Sequence, residues 1–181
     1  MRKLALIIFI FMLVGCAAPI TSPNYYMGDD SGYALVSITA EKFIGKFEVY
    51  IEPEEENPGY QLRQDYDNGY KSRRKPDYRE GEASGKVRLQ RLKPGKYTIK
   101  KIAVFSGPPK VIDSLKIDFE IKPGEISYLG EFYFNDEKIF LIKKDVSLTI
   151  KNRLNRDQEI MYEKYDWIKK MRINKTSSQW L

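Results

Sequence analysis

"SLKIDFEIKPGEISYLGEFYF", residues 114–134, alternates apolar and polar side chains and then breaks at a proline–glycine pair. Leu115, Ile117, Phe119 and Ile121 fall on one face, and Lys116, Asp118, Glu120 and Lys122 on the other. A period of two marks a half-buried strand. At Lys122-Pro123-Gly124-Glu125 the proline presets φ for the second turn position and the glycine accepts positive φ at the third, the type II recipe. A second run rich in aromatic and β-branched residues, 126–134, follows at once. Two short strands joined by a tight turn predict antiparallel sheet.

The same signals recur on both sides. Lys93-Pro94-Gly95-Lys96 separates 87–92 from 97–105 with an equivalent turn. Phe47, Val49 and Ile51 alternate with Lys46, Glu48 and Glu52, and Val146, Leu148 and Ile150 with Asp145, Ser147, Thr149 and Lys151. Further strands are expected at 33–39, 86–92, 96–105, 126–134 and 139–142. The fold class that follows is mainly β: an antiparallel β-sandwich of about eight strands over residues 33–151. No helical period separates the strands, which disfavours a parallel α/β sheet. The period changes only after 151. Leu154, Met161, Tyr165, Ile168 and Met171 share one helical face, while Asp157, Glu163, Asp166, Lys169 and Lys170 mostly lie off it. This predicts one C-terminal amphipathic helix, about 154–171 within 152–173, with Asn152 or Asn155 as cap and Asp157 and Glu159 complementing its N-terminus. Its expected role is to cover an open face or end of the sandwich. Docking a partner is the alternative, and the mixed charges argue against a helix lying on a membrane. Residues 174–181 read as a tail, with Trp180 unusual for one.

The N-terminus carries a different kind of information. Met1-Arg2-Lys3 is positive, residues 4–14 are uncharged and apolar, and Gly15-Cys16 follows. A charged start, a short apolar run and a small residue before a cleavage point are the parts of an export signal. The run is too short for a spanning helix, which needs about 20 apolar residues. Leu13-Val14-Gly15-Cys16 resembles the lipobox of bacterial lipoproteins. That resemblance implies a lipoprotein signal peptide over 1–15, removed by a dedicated peptidase, and a diacylglyceryl group on the Cys16 sulfur. A lone cysteine cannot form an intrachain disulfide, and two or three acyl chains hold a protein firmly where one does not. Ala17 follows the cysteine where proteobacterial lipoproteins kept at the inner membrane tend to carry Asp, so the resemblance implies an outer membrane position facing the periplasm in a two-membrane cell. In a single-membrane cell the protein would sit on the outer face of that membrane. Residues 16–32 are small, polar or turn-forming and read as a tether of about 20 Å mean span.

The paired "KPGKYTI" and "KPGEISYLGEFYF" stretches are similar to a layout found in lipoprotein domains of the DUF2846 kind, where a small prealbumin-like or carboxypeptidase-regulatory-like sandwich carries such turns. The likeness covers 33–134 loosely and implies the sandwich rather than an activity. A central insertion departs from that layout.

Composition excludes much. The chain has 181 residues, 31 Lys+Arg and 25 Asp+Glu, for a net charge of +6. Without Arg2 and Lys3 the balance is 29 against 25, or +4. This mild charge fits attraction to anionic lipid or wall polymer without requiring either. Nucleic acid is not an expected partner, since no recognition motif is present. There is no histidine, which excludes Ser-His-Asp and Cys-His catalysis and removes the commonest metal ligand. An enzyme here would have to rely on carboxylates, Lys, Tyr or Ser; the sequence points to no catalytic residue, metal site or cofactor.

The insertion, 53–84, is expected to be a long loop, and loops of that length are usually functional or mobile. It offers Tyr60, Tyr66, Tyr70, Tyr78, Arg73 and Arg74 as binding candidates, with an acidic run at Glu54-Glu55-Glu56. Tyr rings give contact area at low entropy cost and arginine pairs with carboxylates or phosphates. Glycan and peptide ligands both suit that mixture. Asp65-Tyr66-Asp67-Asn68-Gly69 suggests calcium, but glycine falls at position 5 of an EF-hand frame and Pro76 at position 12, so the match fails and Asn68-Gly69 reads as a turn. The expected function is a membrane-anchored, non-catalytic envelope lipoprotein serving as an accessory or structural module, with a possible envelope-protein or cell-wall partner. The alternatives are a glycan- or peptidoglycan-binding lipoprotein and, further off, a carboxylate-based hydrolase.

Overall fold

The computed structural model describes residues 31–40, 46–54, 60–65, 75–105, 109–113, 115–139 and 143–176. Cys16, the signal peptide expected over 1–15 and all of the tether expected over 16–32 except Ser31 and Gly32 lie outside them, as do Tyr66, Tyr70, Arg73, Arg74 and Trp180.

The fold is mainly β, with two sheets and, among the described residues, one α-helix. The first sheet runs β10 (Lys143–Lys151), β9 (Glu125–Ile139), β1 (Gly32–Ala40), β5 (Ala83–Leu92), β4 (Tyr78–Glu80), with β11 (Arg172–Lys175) also on β9. The second runs β3 (Tyr60–Asp65), β2 (Lys46–Pro53), β6 (Gly95–Phe105), β7 (Pro109–Ile112), with β8 (Ile117–Ile121) also on β6. β8 buries Ile117, Phe119 and Ile121 and exposes Asp118 and Glu120, as its alternation predicts. Both sheets turn apolar residues into one shared core. Phe47 of β2 meets Phe134 of β9 with ring centroids 4.2 Å apart, and Ile38, Ile99, Ile102 and Phe132 are fully buried around them. Each such side chain contributes roughly 1.5–3 kcal/mol of burial.

Several expectations need correction. The first sheet is mixed rather than antiparallel: β1 pairs β5 antiparallel but β9 parallel, from Tyr33↔Ile126 to Ala40↔Phe134, and β11 joins β9 in parallel as well. The strand expected at 139–142 is not a separate one, since Ile139 ends β9 and 140–142 lie outside the described residues, and the described strands number eleven rather than about eight because β3, β4, β7 and β11 are additional. Two of these occupy the supposed loop 53–84: β3 pairs β2, and β4 pairs β5. Of the two proline–glycine turns, 122–125 closes as predicted, with Glu125 N donating to Lys122 O at 3.2 Å and Gly124 at φ 68°, but it links the two sheets rather than pairing β8 with β9. Gly95 instead takes φ 149° and already belongs to β6, so that link is not a type II turn.

One irregularity in β9 decides what faces which side. The β1–β9 register slips between Leu35 and Val36, opposite Tyr128 and Gly130, and Gly130 sits at φ 100°. A β-bulge inserts one residue and reverses the alternation beyond it. Ile126 and Tyr128 therefore point away from the second sheet, Leu129, Phe132 and Phe134 point into the shared core, and Glu131 returns to the outer side.

That outer side is where the helix packs. α1 (Leu154–Lys164) is shorter than expected. Tyr165 is extended, at φ −146° and ψ 96°, and a 3₁₀ helix, Asp166–Lys170, follows. Residues 172–175, assigned to the end of the helix and the start of the tail, instead form β11. Met161 and Ile168 are buried against Tyr33, Leu35, Val87, Ile126 and Tyr128 as a second cluster, with Trp167 5.2 Å from the Tyr33 ring. No side chain caps α1; Leu154 N donates to Asn152 Oδ1 at 3.3 Å, one residue before the cap position held by Arg153. No helix among the described residues is long and apolar enough to cross a membrane.

Candidate functional site

Under the first turn of α1 the second cluster gives way to charge. Ser37 and Thr39 alternate out of β1 toward the helix while Val36, Ile38 and Ala40 point into the shared core. Glu131, delivered by the β9 bulge, and Asp157, from α1, are both fully buried, at 0% exposure. Arg156 lies between them. Its Nε and Nη2 donate to Asp157 Oδ1 at 2.9 and 2.8 Å, Nη2 is 3.0 Å from Glu131 Oε1, and Nη1 donates to Glu80 Oε1 at 2.7 Å.

Hydroxyls complete the network. Ser37 Oγ and Tyr128 OH donate to Asp157 Oδ2 at 2.6 and 2.9 Å. Tyr128 OH in turn accepts from Arg153 N at 2.9 Å, which ties the start of the helix to β9. Thr39 Oγ1 donates to Glu131 Oε1 and also contacts Tyr78 OH, which donates to the same carboxylate oxygen at 3.1 Å. Tyr78 reaches that far because β4 sets its ring directly over Gly85: a Cβ there would stand 2.0 Å from Tyr78 Cζ. The Arg156 guanidinium lies over the ring, 3.7 Å from its centroid. Glu131 Oε2 has no hydrogen-bond partner among the described residues, and Arg153 Nε stands 3.7 Å from it.

The electrostatics follow from burial. Loss of water pushes the Asp157 carboxyl above its usual range, against the pull of Ser37, Arg156 and Tyr128 toward the charged form. Burial raises the Tyr78 phenol far above its usual value despite the opposing pull of Thr39 and Arg156. Tyr128 is raised in the same way, with Asp157 adding to the effect. Arg156 is driven up by Asp157 and Tyr78 in spite of its own desolvation, and stays a cation. These groups accept from and donate to one another, so the arrangement works as a clasp holding helix to sheet. The specificity of a buried charge cluster lies in the cost of any other docking, which would strand a carboxylate without its partner.

The surface also carries two shallow grooves. One, of about 340 Å³, lies between β8 and β11 and is lined by Asp118, Glu120, Lys122, Glu125, Arg172 and Lys175 among others. The other, of about 350 Å³, lies at the start of α1 beside Asn152, Arg153, Asn155, Arg156 and Lys175.

Of the residues singled out from sequence, Tyr78 lies in the clasp, its hydroxyl and ring both engaged inside the domain. Tyr60 opens β3 at the edge of the second sheet. The structure brings neither together with the others, which lie outside the described residues. Sequence reasoning missed Ser37, Thr39, Tyr128, Glu131, Arg156 and Asp157, and placed Asp157 off the buried face. The available signal was Glu131 itself, a lone charge inside the otherwise uncharged run 126–134.

No protein-family model matches the chain, and no curated protein matches it. Among solved structures, 59% of the chain aligns with 14% of a leucine-rich repeat protein from Bacteroides thetaiotaomicron, at 11% identity and a TM-score of 0.38. A likeness of that size carries no argument about fold or function.

Proposed function

We propose that this chain is a lipid-anchored envelope protein, non-catalytic, in which a β-sandwich held through Cys16 serves as an accessory or structural module for other envelope components. The observation that carries it is the N-terminal run of Arg2-Lys3, eleven apolar residues at 4–14 and Gly15-Cys16, with fourteen residues between Cys16 and Ser31, where the chain leads into the central strand of the first sheet. Two sheets about one core support the sandwich. The clasp supports a structural role, because its charged groups are spent on one another.

Intact-mass analysis and membrane fractionation of the wild type and Cys16→Ala in a bacterial host test the proposal. Lipid mass on a chain beginning at Cys16, with the variant uncleaved or released, is the expected result. An unmodified, full-length, soluble wild type would overturn it. A second proposal, glycan or peptidoglycan binding through the Tyr/Arg-rich stretch, is favoured by the edge position of β3, which opens on Tyr60. Failure of purified cell wall to retain the wild type would remove it.

A further inference from the structure

The two lysine–proline–glycine turns, 27 to 31 residues apart in sequence on any pairing of their members, meet at one end of the fold, and the chain enters between them. Gly32 pairs Leu92, so β5 ends beside the start of β1, and the link at 93–94 crosses to the second sheet there. Gly95 pairs Ile121, and the turn after β8 crosses back to β9 at the same end, where Gly124 N donates to Ser31 O at 3.0 Å. Arg91 Nε fixes Ser31 from the other side, donating to its Oγ at 2.8 Å. β11 also begins here, with Arg172 opposite Glu125.

This end is cationic. Lys93, Lys96, Lys122, Lys170 and Arg172 are exposed around the entry point, with half-buried Arg91 beside them. The acids nearby among the described residues are Glu54, Glu120 and Glu125, and Asp29 and Asp30 directly precede Ser31 in sequence. Glu120 faces Lys122 at 3.6 Å, and Glu125 is bonded by Asn174 and stands 3.9 Å from Arg172. Lys93, Lys96 and Lys170 have no ion-pair partner among the described residues.

Resting on the anchor proposed above, we propose that this end of the domain is a docking surface for anionic lipid headgroups, so that the domain stands on the membrane by its lysine–proline–glycine turns. Charge complementarity and the length of chain ahead of Ser31 both point there. Fourteen residues separate Cys16 from Ser31, and a flexible chain of that length averages about 20 Å, less than the roughly 30 Å length of a nine-residue strand. The near end therefore meets the headgroups first. At an anionic surface each lysine within a Debye length, about 8–10 Å, gains about a fivefold preference.

The test is amine acylation of the full-length protein in vesicles of phosphatidylcholine alone and of phosphatidylcholine mixed with phosphatidylglycerol, read by peptide mass. Lys93, Lys96 and Lys122 should react about fivefold more slowly in the anionic vesicles, with the protection lost at high salt, while Lys110 at the far end of β6 is unchanged. The same digest reports the Cys16 peptide. Lipid on Cys16 with equal labelling in both vesicles overturns the docking surface and leaves the anchor standing. Protection only after isolated wall polymer is added overturns lipid as the occupant. A Cys16 peptide without lipid overturns the anchor, and the docking surface with it.

Discussion

Ser37 Oγ donates to Asp157 Oδ2 at 2.6 Å, joining the central strand of the first sheet to the helix across 120 positions of sequence. The bond belongs to a cluster in which one guanidinium serves two fully buried carboxylates, and the cluster's behaviour on perturbation follows from that ratio.

Arg156→Met should be the most damaging single change there. It leaves Glu131 and Asp157 buried without their shared cation, at a cost of about 3–5 kcal/mol. Arg153→Met, whose side chain is half exposed and stands 3.7 Å from Glu131, should cost less than about 1 kcal/mol. Urea midpoints at constant m-value measure both, and equal losses would refute the assignment of Arg156 as the central cation.

Asp157 should give stability a downward slope with rising pH. Its folded carboxyl titrates above the ordinary value of 3.8, so between the two values the folded chain holds a proton that the unfolded chain has released. Its contribution is fully present below 3.8 and is lost as pH rises through the raised value. Exposed Asp118 and Asp166, lowered by Thr98 and by Lys169, act in the opposite sense, losing their contribution as pH falls. The quantity to measure is therefore wild-type stability minus that of Asp157→Asn across the acid range. It should decline with pH; a difference that rises would contradict the burial argument.

Gly85→Ala should expel the Tyr78 ring. The new methyl would stand 2.0 Å from Cζ and 2.1 Å from the hydroxyl, which breaks the contacts to Thr39, Glu131 and Arg156 together. A loss of about 1–3 kcal/mol is expected. In a Tyr78→Ala background the same substitution has nothing to displace, so a double-mutant cycle should return a coupling of about 0.5–3 kcal/mol. Additive losses would mean that the ring and the glycine are independent.

Gly130→Ala should cost about 1–3 kcal/mol, because φ of 100° is strained for any residue with a Cβ. The loss should include the helix. Without the bulge, residue 131 would turn toward the apolar core and 132 toward α1. Hydrogen exchange should therefore show α1 amides losing protection along with those of β9, and an unchanged helix would separate the bulge from helix docking.

How far these features were legible in the sequence depended on the range of the interaction. Ile117, Phe119 and Ile121 announce a half-buried strand because alternation is a local property, and the turn at 122–125 is written in two adjacent residues. The parallel pairing of β1 with β9 is not local: Tyr33 meets Ile126 across 93 positions, and nothing in either segment names its partner. The sequence overstates the helix because Met161, Tyr165 and Ile168 keep helical spacing whether the chain is α-helical or passes into a 3₁₀ turn after Tyr165. The pattern places Asp157 in solvent because an acid in a first helical turn ordinarily lies there. Its burial depends on Ser37, Tyr128 and Arg156, two of which are far from it in sequence. β3 was the nearest miss, since Tyr60 and Leu62 against Gln61 and Arg63 already alternate.

The position of β1 has a mechanical consequence. The chain enters the first sheet at a strand flanked by β5 on one side and β9 on the other, with paired residues from Gly32 and Tyr33 through to Ala40. A pull along the strand from Ser31 therefore loads both ladders at once and in shear, where an edge strand would peel one bond at a time. A load applied through the residues ahead of Ser31 would thus fall on a strand bonded along both edges, so drawing β1 out of the sheet requires both ladders to fail together.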